Sequence, residues 1–328
     1  MFRFGILSTA KIGIEHLIPA MLAADNCVLA GIASRDAKKA RKVAKRFGIP
    51  LSFGSYEELL ASDEIDGVYI PLPTSQHIEW AIKATEAGKH VLCEKPISLK
   101  ADEIKPLIRA RNKHKVIVSE AFMVTYHPQW LKVRELLKKG SVGQLRQVQA
   151  SFAYHNVDAT NMRNRLELGG GALPDIGVYP VVATRFVTGV EPQKVLASVE
   201  FDPKFKTDRF ASAQVKFKNF DLNFYVSTQM ALRQSILFHG DKGFIELNAP
   251  FNSNLYEGSE VRLHNADHSE DKVFRYTGID QYQYQVEAFA KAAAGRKQEI
   301  FSLESSHANQ RVIDAIYASA RNDDWAKV

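Results

Sequence analysis

Residues 2–13, FRFGILSTAKIG, decide the fold of this chain, because a short apolar strand, Phe2–Leu7, runs directly into three small residues and then a helix. Apolar residues with helical spacing continue over His16–Ala24. A strand, a tight turn of small side chains and a helix are typical of the first unit of a dinucleotide-binding domain, where backbone must approach a pyrophosphate closely.

Apolar strands alternate with amphipathic helices over the first 121 residues. The strands are predicted at Val28–Ala33, Val68–Ile70, His90–Cys93 and Val116–Val118, and the helices at Ala37–Phe47, Tyr56–Leu60, Gln76–Ala87 and Ala101–Asn112. Strands with no polar interior indicate a parallel sheet that is covered on both faces. Right-handed crossovers then give a doubly wound Rossmann domain, which we place at residues 1–121.

The pattern changes in the second part of the chain, where longer stretches alternate between apolar and polar residues. These predicted strands are Gln147–Tyr154, Phe210–Phe217, Leu222–Thr228, Ser235–His239 and Phe244–Leu247. Helices are predicted at Pro128–Lys139, Ala172–Val187, Tyr282–Ala294 and Glu304–Arg321. We therefore predict an α+β domain over residues 122–328, with a large, open and mostly antiparallel sheet that binds substrate. The open face predicts a homodimer or a higher homo-oligomer.

Composition excludes several classes of protein. The 328 residues are 45% hydrophobic and 24% charged, which is ordinary for a globular chain. The net charge is +6, but the basic residues are interspersed with acidic ones, so we expect no nucleic-acid partner. No apolar stretch is long enough to span a membrane, and the N-terminus lacks a signal-peptide pattern, which predicts a cytoplasmic protein. Cys27 and Cys93 are predicted to be buried thiols, and no metal site is expected.

The small-residue turn and the second strand carry the cofactor prediction. Gly5, Ser8 and Ala10 permit close approach of backbone to a pyrophosphate. Ser34 and Arg35 follow the second strand and suit a 2′-phosphate, which favours NADP over NAD. Asp36 is either an acceptor for the ribose of NAD or the N-cap of the next helix, and we favour the cap. The full predicted cofactor set is Gly5, Ser8, Thr9, Ala10, Lys11, Ile12, Ser34, Arg35, Pro71, Leu72, Thr74, His77, Glu94 and Lys95.

Two further motifs carry chemistry. Glu94-Lys95-Pro96 follows a buried strand, at the edge of the sheet where open parallel sheets bind ligands, so the Lys95 amine is placed to hydrogen-bond a reacting hydroxyl. Its alternative interpretation is a surface lysine beside Glu94. Three glycines at 169–171 precede a helix, and we expect these glycines to offer backbone N–H groups to a ligand. The helix carries Asp175 and Tyr179 four residues apart, which places them on one face.

Together, these motifs resemble the glucose–fructose oxidoreductase/inositol dehydrogenase/MocA family across essentially the whole chain. The segments 120–123 (EAFM) and 127–129 (HPQ) are similar to the branch that contains dimeric dihydrodiol dehydrogenases and NADP-dependent D-xylose dehydrogenases. Thr125 departs from the arginine expected two residues before the His-Pro pair in the related sugar enzymes, which leaves the sugar specificity open.

The resemblance implies reversible hydride transfer between nicotinamide and a carbon of a sugar, polyol or diol. Lys95 matches the catalytic lysine of the family, Asp175 matches its substrate-side aspartate, and Tyr179 stands where the dihydrodiol branch carries tyrosine. Further substrate contacts are assigned to His155, Arg163 and Asn164. Two alternatives remain, a trans-dihydrodiol dehydrogenase and a non-catalytic regulator or scaffold that binds NAD(P).

Overall fold

A six-stranded parallel sheet forms the centre of the first part of the molecule. In a computed structural model that describes residues 1–328, its strands are Phe2–Leu7 (β1), Cys27–Ala33 (β2), Leu51–Phe53 (β3), Gly67–Ile70 (β4), His90–Cys93 (β5) and Val118–Glu120 (β6). They lie in the order β3-β2-β1-β4-β5-β6. The order reverses between β1 and β4, and in open sheets of this kind ligands bind beside such a reversal, at the carboxyl ends of the strands.

Helices connect these strands, and the sequence predicts their starts well. They are Ile18–Ala23 (α1), Ala37–Phe47 (α2), Tyr56–Leu60 (α3), His77–Glu86 (α4) and Ala101–His114 (α5). Asp36 caps α2 by accepting from the backbone N–H groups of Lys38 and Lys39, so the predicted cap is confirmed. Ser55 caps α3 in the same way. Strand β3 is absent from the sequence prediction, because three residues with a central serine carry no apolar run.

The helix after β1 begins earlier than predicted and is not regular. Lys11 is its first helical residue, and the segment Gly13–Leu17 forms a turn of π-helix before α1. A π-turn adds one residue per turn, so the apolar spacing that indicates an α-helix from His16 onward does not reveal it.

A later segment of the chain completes the first unit. By its contacts the chain divides into one unit of Met1–Met123 with Asp280–His307, and a second of Val124–Ile279 with Ala308–Val328. The prediction placed the segment 280–307 in the second domain. In the structure its helix Gln281–Ala293 (α8) contributes Phe289, whose buried ring lies 5.9 Å from that of Phe2 and 5.7 Å from that of Phe4.

The second unit is built on a nine-stranded, mostly antiparallel sheet in the order β14-β13-β12-β11-β7-β10-β9-β8-β15. Its strands are Leu145–His155 (β7), Lys194–Phe201 (β8), Asp208–Lys216 (β9), Asp221–Ser227 (β10), Gln229–Gly240 (β11), Gly243–Leu247 (β12), Ser259–Asn265 (β13), Asp271–Tyr276 (β14) and Ala326–Lys327 (β15). The pair β7–β10 is the one parallel pair. Strands β8, β13 and β14 were not predicted; β13 and β14 carry polar residues on both faces, whereas in β8 only the face of Val195, Ala197, Val199 and Phe201 is fully apolar.

Helices cover one face of this sheet. They are Pro128–Lys138 (α6), Val178–Thr188 (α7) and the part of Leu303–Asn322 (α9) that follows His307. On the covered face of β10, Leu222, Phe224 and Val226 are buried, whereas Tyr225 points to the opposite face and stacks on Phe210. No helix in the structure combines the length and the apolar character needed to cross a membrane.

Candidate active site

The turn after β1 has the backbone of a cofactor loop although it lacks the middle glycine. Ser8 has φ +140°, a conformation that glycine adopts far more readily than serine. Its Oγ accepts from the backbone N–H of Ala10 at 2.9 Å, which stabilises the turn immediately before the helix begins at Lys11. Strain of this kind costs about 1–3 kcal/mol and is concentrated at ligand sites. The helix N-terminus behind Ser8, Thr9 and Ala10 is suited to a pyrophosphate.

Other residues of the predicted loop have different surroundings. Gly5 lies within β1, where an added Cβ would approach Leu59 to 2.7 Å, so packing of α3 against the strand requires this glycine. Lys11 is exposed and its Nζ lies 3.7 Å from Glu15, so its side chain belongs to a solvated helix face. Ile12, half-buried, lies in the first turn of the helix.

The tip of β2 presents a hydroxyl and a guanidinium. Arg35 is exposed and hydrogen-bonds the hydroxyl of buried Tyr56, whose pKa is raised by burial in spite of the nearby arginine. Ser34 Oγ accepts from the backbone N–H of Asp36 at 3.2 Å. Because the carboxylate of Asp36 is occupied by two N–H groups of α2, Ser34 and Arg35 are the polar groups suited to an anionic cofactor here.

The loop after β4 is anchored by His77. Its Nδ1 lies 2.8 Å from the carbonyl oxygen of Pro96 and its Nε2 lies 2.7 Å from that of Leu72. The ring is buried, and this burial lowers the pKa of His77 although the two carbonyls act in the opposite direction. Pro71, Leu72 and Thr74 are buried as well. His77 therefore joins the loops that follow β4 and β5, and both of its nitrogens contact protein.

Lys95 stands at the carboxyl end of β5, on a turn that is fixed by buried groups. The hydroxyl of Tyr69 donates to Glu94 Oε1 at 2.6 Å, and the backbone N–H of Lys95 donates to Glu94 Oε2 at 3.2 Å. Tyr69 is fully buried, and burial together with the charge of Glu94 holds the pKa of its hydroxyl well above the ordinary value. The Lys95–Pro96 peptide bond is cis. The half-exposed lysine is thus presented from a rigid edge of the sheet.

Three polar side chains lie together in the second unit: Asp175 and Arg163, which were predicted, and Tyr154, which was not. Asp175 lies in a π-turn, Leu173–Gly177, that precedes α7. Its Oδ2 accepts from the hydroxyl of Tyr154 at 2.6 Å and from Nε of Arg163 at 2.8 Å. The charge of Asp175 raises the pKa of Arg163, and burial is the largest cause that raises the pKa of Tyr154. The structure therefore joins the predicted pair Asp175 and Arg163 through one oxygen atom.

Tyr154 was missed by sequence reasoning, although a signal for it exists. Tyr154 is the last residue but one of β7 and lies on the same side of the strand as buried Val148, Ala150 and Phe152. Alternation along the strand therefore points its ring toward the covered face of the sheet. The next residue, His155, is exposed on the other register.

Tyr179 and Asn164 are buried in different surroundings. Tyr179 begins α7 and its ring packs 5.7 Å from that of Phe152 and 5.5 Å from that of Phe251. The amide of Asn164 donates to the backbone oxygen of Asp158 at 2.9 Å and to both oxygens of Asn156. This hydrogen bonding fixes the loop between β7 and the glycines, and it accounts for the burial of Asn164 without a substrate.

The glycines at 169–171 serve packing within the unit. A Cβ on Gly170 would lie 2.4 Å from the carbonyl oxygen of Arg163, and one on Gly171 would lie 2.0 Å from Asp208. Asp208 Oδ2 accepts from the backbone N–H of Leu173 at 2.6 Å, while Tyr317 donates to Oδ1 at 2.7 Å. A buried carboxylate thus caps the helix at Leu173. The prediction that the glycines offer N–H groups to a ligand is wrong for Gly169 and Gly170, which donate to the backbone oxygens of Leu166 and Arg165 at 3.0 Å.

Comparison with known proteins decides the family. Residues 2–122 match the model of the GFO/IDH/MocA oxidoreductase family, NAD-binding Rossmann fold, and residues 130–246 match the model of its C-terminal domain. An uncharacterised oxidoreductase of Rhizobium meliloti is 40% identical over 100% of this chain and 99% of its own length. The chain belongs to the GFO/IDH/MocA oxidoreductase family. The predicted family, fold class and oxidoreductase activity are confirmed.

Two better-characterised proteins are similar over nearly the whole chain. D-Xylose 1-dehydrogenase (NADP(+)) 2 of Haloferax volcanii is 35% identical and covers 97% of this chain and of itself. A 3-ketoreductase from Actinomadura kijaniata, solved with NADP and TDP-benzene, is 28% identical with a TM-score of 0.90 and covers 97% of each chain. Solved forms of that ketoreductase include variants in which a single lysine or a single tyrosine is replaced. One of these relatives is thus named a dehydrogenase of D-xylose and the other a ketoreductase.

No group of three or more histidine, cysteine, aspartate or glutamate side chains is placed to hold a metal ion. Cys27 and Cys93 are free and buried, as predicted. Burial raises the pKa of Cys27 to about 12 and that of Cys93 well above its ordinary value, so both remain thiols.

Proposed function

We propose that this protein is an NADP-dependent dehydrogenase or reductase that acts reversibly on a hydroxyl-bearing carbon of a sugar. The observation that carries the proposal is the position of Lys95 at the ligand-binding edge of a family Rossmann sheet, where half-buried Glu94 accepts from buried Tyr69 and from the Lys95 backbone N–H. The full-length similarity to an NADP-dependent xylose dehydrogenase supports both the cofactor and the substrate class.

The residues of the first unit fit this cofactor. The turn Ser8–Ala10 and the helix start behind it would hold the pyrophosphate, and Ser34 with Arg35 would hold the 2′-phosphate. Asp36 Oδ1 accepts from two N–H groups at the start of α2, which supports a role as helix cap rather than as the ribose acceptor of NAD. When bound, the nicotinamide exchanges a hydride with the substrate carbon.

Each predicted catalytic residue then has a separate task. Lys95 hydrogen-bonds the reacting oxygen, and Tyr179 exchanges a proton with it. Asp175 accepts from a neighbouring substrate hydroxyl, and its charge and orientation are maintained by Arg163 and Tyr154. Charge-assisted hydrogen bonds are the strongest available for such orientation.

The open face of the second-unit sheet has a role in assembly. Tyr225 and Phe210 stack there on the face that no helix covers. We assign this face to a homodimer or a higher homo-oligomer, in which each sheet covers the other.

The first experiment measures reduced-cofactor absorbance with NADP and NAD across aldoses, polyols, inositols, nucleotide-linked sugars and a trans-dihydrodiol. Turnover of an aldose or another sugar with NADP supports the proposal. Turnover of the dihydrodiol alone replaces it with the dihydrodiol alternative, and cofactor binding without any turnover supports the non-catalytic regulator.

The second experiment replaces Lys95 by methionine, which keeps length but removes the hydrogen-bond donor. We expect turnover to fall by about 10²–10⁴-fold, the usual weight of positioned acid–base assistance, with little change in NADP affinity. Lys100→Met is the matched control, since this exposed lysine lies just before α5. Near wild-type turnover in Lys95→Met, or loss of NADP binding instead, contradicts the assignment.

A double variant tests whether the two residues act as a unit. Tyr179→Phe should reduce turnover on its own, and Lys95→Met with Tyr179→Phe should lose less than the product of the two single losses. Losses that multiply would show that the residues act independently.

A further inference from the structure

Glu120 is a buried carboxyl beside the turn that carries Lys95. It ends β6 and pairs with Cys93 of β5, so it lies at the same edge of the sheet as the turn. Its side chain is only 3% exposed. Glu120 Oε1 accepts from the backbone N–H of Ile97 at 2.8 Å, and the hydroxyl of Ser306 makes a second hydrogen bond to the carboxyl. The Glu94–Ile97 turn is therefore held at both ends, by Tyr69 at Glu94 and by Glu120 at Ile97.

These contacts leave a question of charge. A buried carboxyl that serves only to accept from one backbone N–H is an expensive choice, since burial of an ionised group without compensation is unfavourable. Glutamine would accept from the same N–H without any charge. Hydrogen bonds from Ser306 and Ile97 provide most of the compensation here, and the nearby charge of Lys95 adds a smaller effect in the same direction.

We propose that Glu120 is a positioning residue for Lys95: it fixes the backbone that follows the lysine and, when ionised, attracts the lysine ammonium into its working position. The catalytic part of this inference rests on the proposed function, whereas the electrostatic part concerns the chain alone. Glu120 is not suited to contact substrate itself, because its side chain is enclosed by β5, the turn and the start of α9.

The groups around Glu120 make it responsive near neutral pH. Burial raises the pKa of Glu120 to about 7, Glu94 acts in the same direction, and Ser306, Ile97 and Lys95 act against it. Cys93 on β5 and Tyr69 on β4 stay protonated, because burial holds the pKa of each well above its ordinary value. His77 hydrogen-bonds the carbonyl of Pro96, and burial together with the nearby charge of Lys95 lowers the pKa of His77, so it stays neutral in this range. Glu120 is thus the neighbour whose charge changes in this range.

The pH profile is the first test. We expect wild-type turnover on the best sugar to rise as pH increases through about 7, because the ionised carboxylate then holds the ammonium in place. Glu120→Gln should remove this step and leave turnover near the low-pH level of the wild type, about tenfold below the wild type at pH 8, with NADP affinity unchanged. Ser119→Ala is the control, since this buried neighbour donates to the backbone oxygens of Phe301 and Glu120 and not to the carboxyl.

Ser306→Ala gives a directional test that keeps the carboxyl. The hydroxyl of Ser306 favours the ionised form, so its removal should move the step to higher pH without abolishing it. An unchanged step in Ser306→Ala, or a full step in Glu120→Gln, overturns the proposal. This variant also decides the question if Glu120→Gln does not fold.

Chemical labelling separates this proposal from the proposed function. Acetic anhydride at pH 8, followed by peptide mass spectrometry, measures the reactivity of Lys95 relative to the other lysines without any substrate. Glu120→Gln should raise the relative labelling of Lys95 by about two- to tenfold, because the lysine side chain is no longer held toward a buried carboxylate. Labelling equal to that of the wild type and of Ser119→Ala refutes the electrostatic part, whatever the substrate screen shows.

Discussion

At the scale of single residues, hydrogen bonds already made inside the protein decide which side chains can serve a ligand. Asp36 is occupied by α2, Asn164 by its own loop and His77 by two carbonyls. At the tip of β2, the Ser34 hydroxyl accepts from Asp36 and the Arg35 guanidinium hydrogen-bonds Tyr56, and both groups keep further donors that suit a phosphate. Cofactor choice therefore depends on which of the neighbouring polar residues the fold has used.

Replacement of Arg35 by alanine tests that choice. We expect NADP affinity to fall by about 1.5–3 kcal/mol, the worth of a charge-assisted hydrogen bond, and NAD affinity to change little. Titration of each cofactor by fluorescence measures both values. Lys45→Ala is the control, since it removes the same charge from the far, exposed end of α2. Equal losses for both cofactors, or a wild type that prefers NAD, would refute the preference for NADP.

Residue roles are predictable from sequence when the partner is local. Asp36 and Ser55 cap helices whose N–H groups lie two or three residues away, and both follow from the sequence pattern. Tyr154 and Glu120 do not, because their partners Asp175 and Ile97 are more than twenty residues distant. Only the assembled sheets bring these pairs together.

At the scale of elements, two π-turns stand at the starts of α1 and α7. Gly13–Leu17 follows the cofactor loop, and Leu173–Gly177 carries Asp175. Such turns are rare in proteins overall, but those that occur are often at functional sites, since one inserted residue redirects the side chains around it. The four-residue spacing predicts that Asp175 and Tyr179 lie on one face of an α-helix. The same spacing cannot reveal the extra residue of the π-turn.

The carboxylate that this turn presents depends on β7. Tyr154→Phe keeps the ring and removes one donor to Asp175, so KM for the best sugar should rise about 2–10-fold, equivalent to about 0.5–1.5 kcal/mol, with a smaller change in kcat. Steady-state kinetics provides the measurement. Tyr317→Phe removes a tyrosine–aspartate hydrogen bond of similar length at Asp208 and should lower thermal stability without this rise in KM. Equal KM values in the two variants would contradict the role given to Tyr154.

At the scale of the whole molecule, the open sheet face sets the expected assembly. Tyr225→Glu places a charge among the residues of this face, so we expect it to convert the wild-type oligomer into monomers, because a buried unpaired charge is strongly unfavourable. Sedimentation velocity at micromolar concentration measures the change. Leu255→Glu, which alters an exposed leucine in a loop, is the control. A monomeric wild type would remove the basis for this interface.

The fold class is predictable at this scale because β1, β2, β4 and β5 are largely apolar runs with helices between them. The sequence does not predict that the first unit is built from two separate segments of the chain. The reason is that α8 has the same amphipathic pattern whichever unit it joins.

That discontinuity has a consequence for synthesis on the ribosome. Phe2 and Phe4 emerge first, yet their aromatic neighbour Phe289 is translated only after nearly all of the second unit. The nascent chain must therefore carry an uncovered apolar surface throughout most of translation. The packing around Phe2 and Phe4 is therefore completed late in synthesis. A chaperone that binds exposed phenylalanine can act on this segment during most of translation.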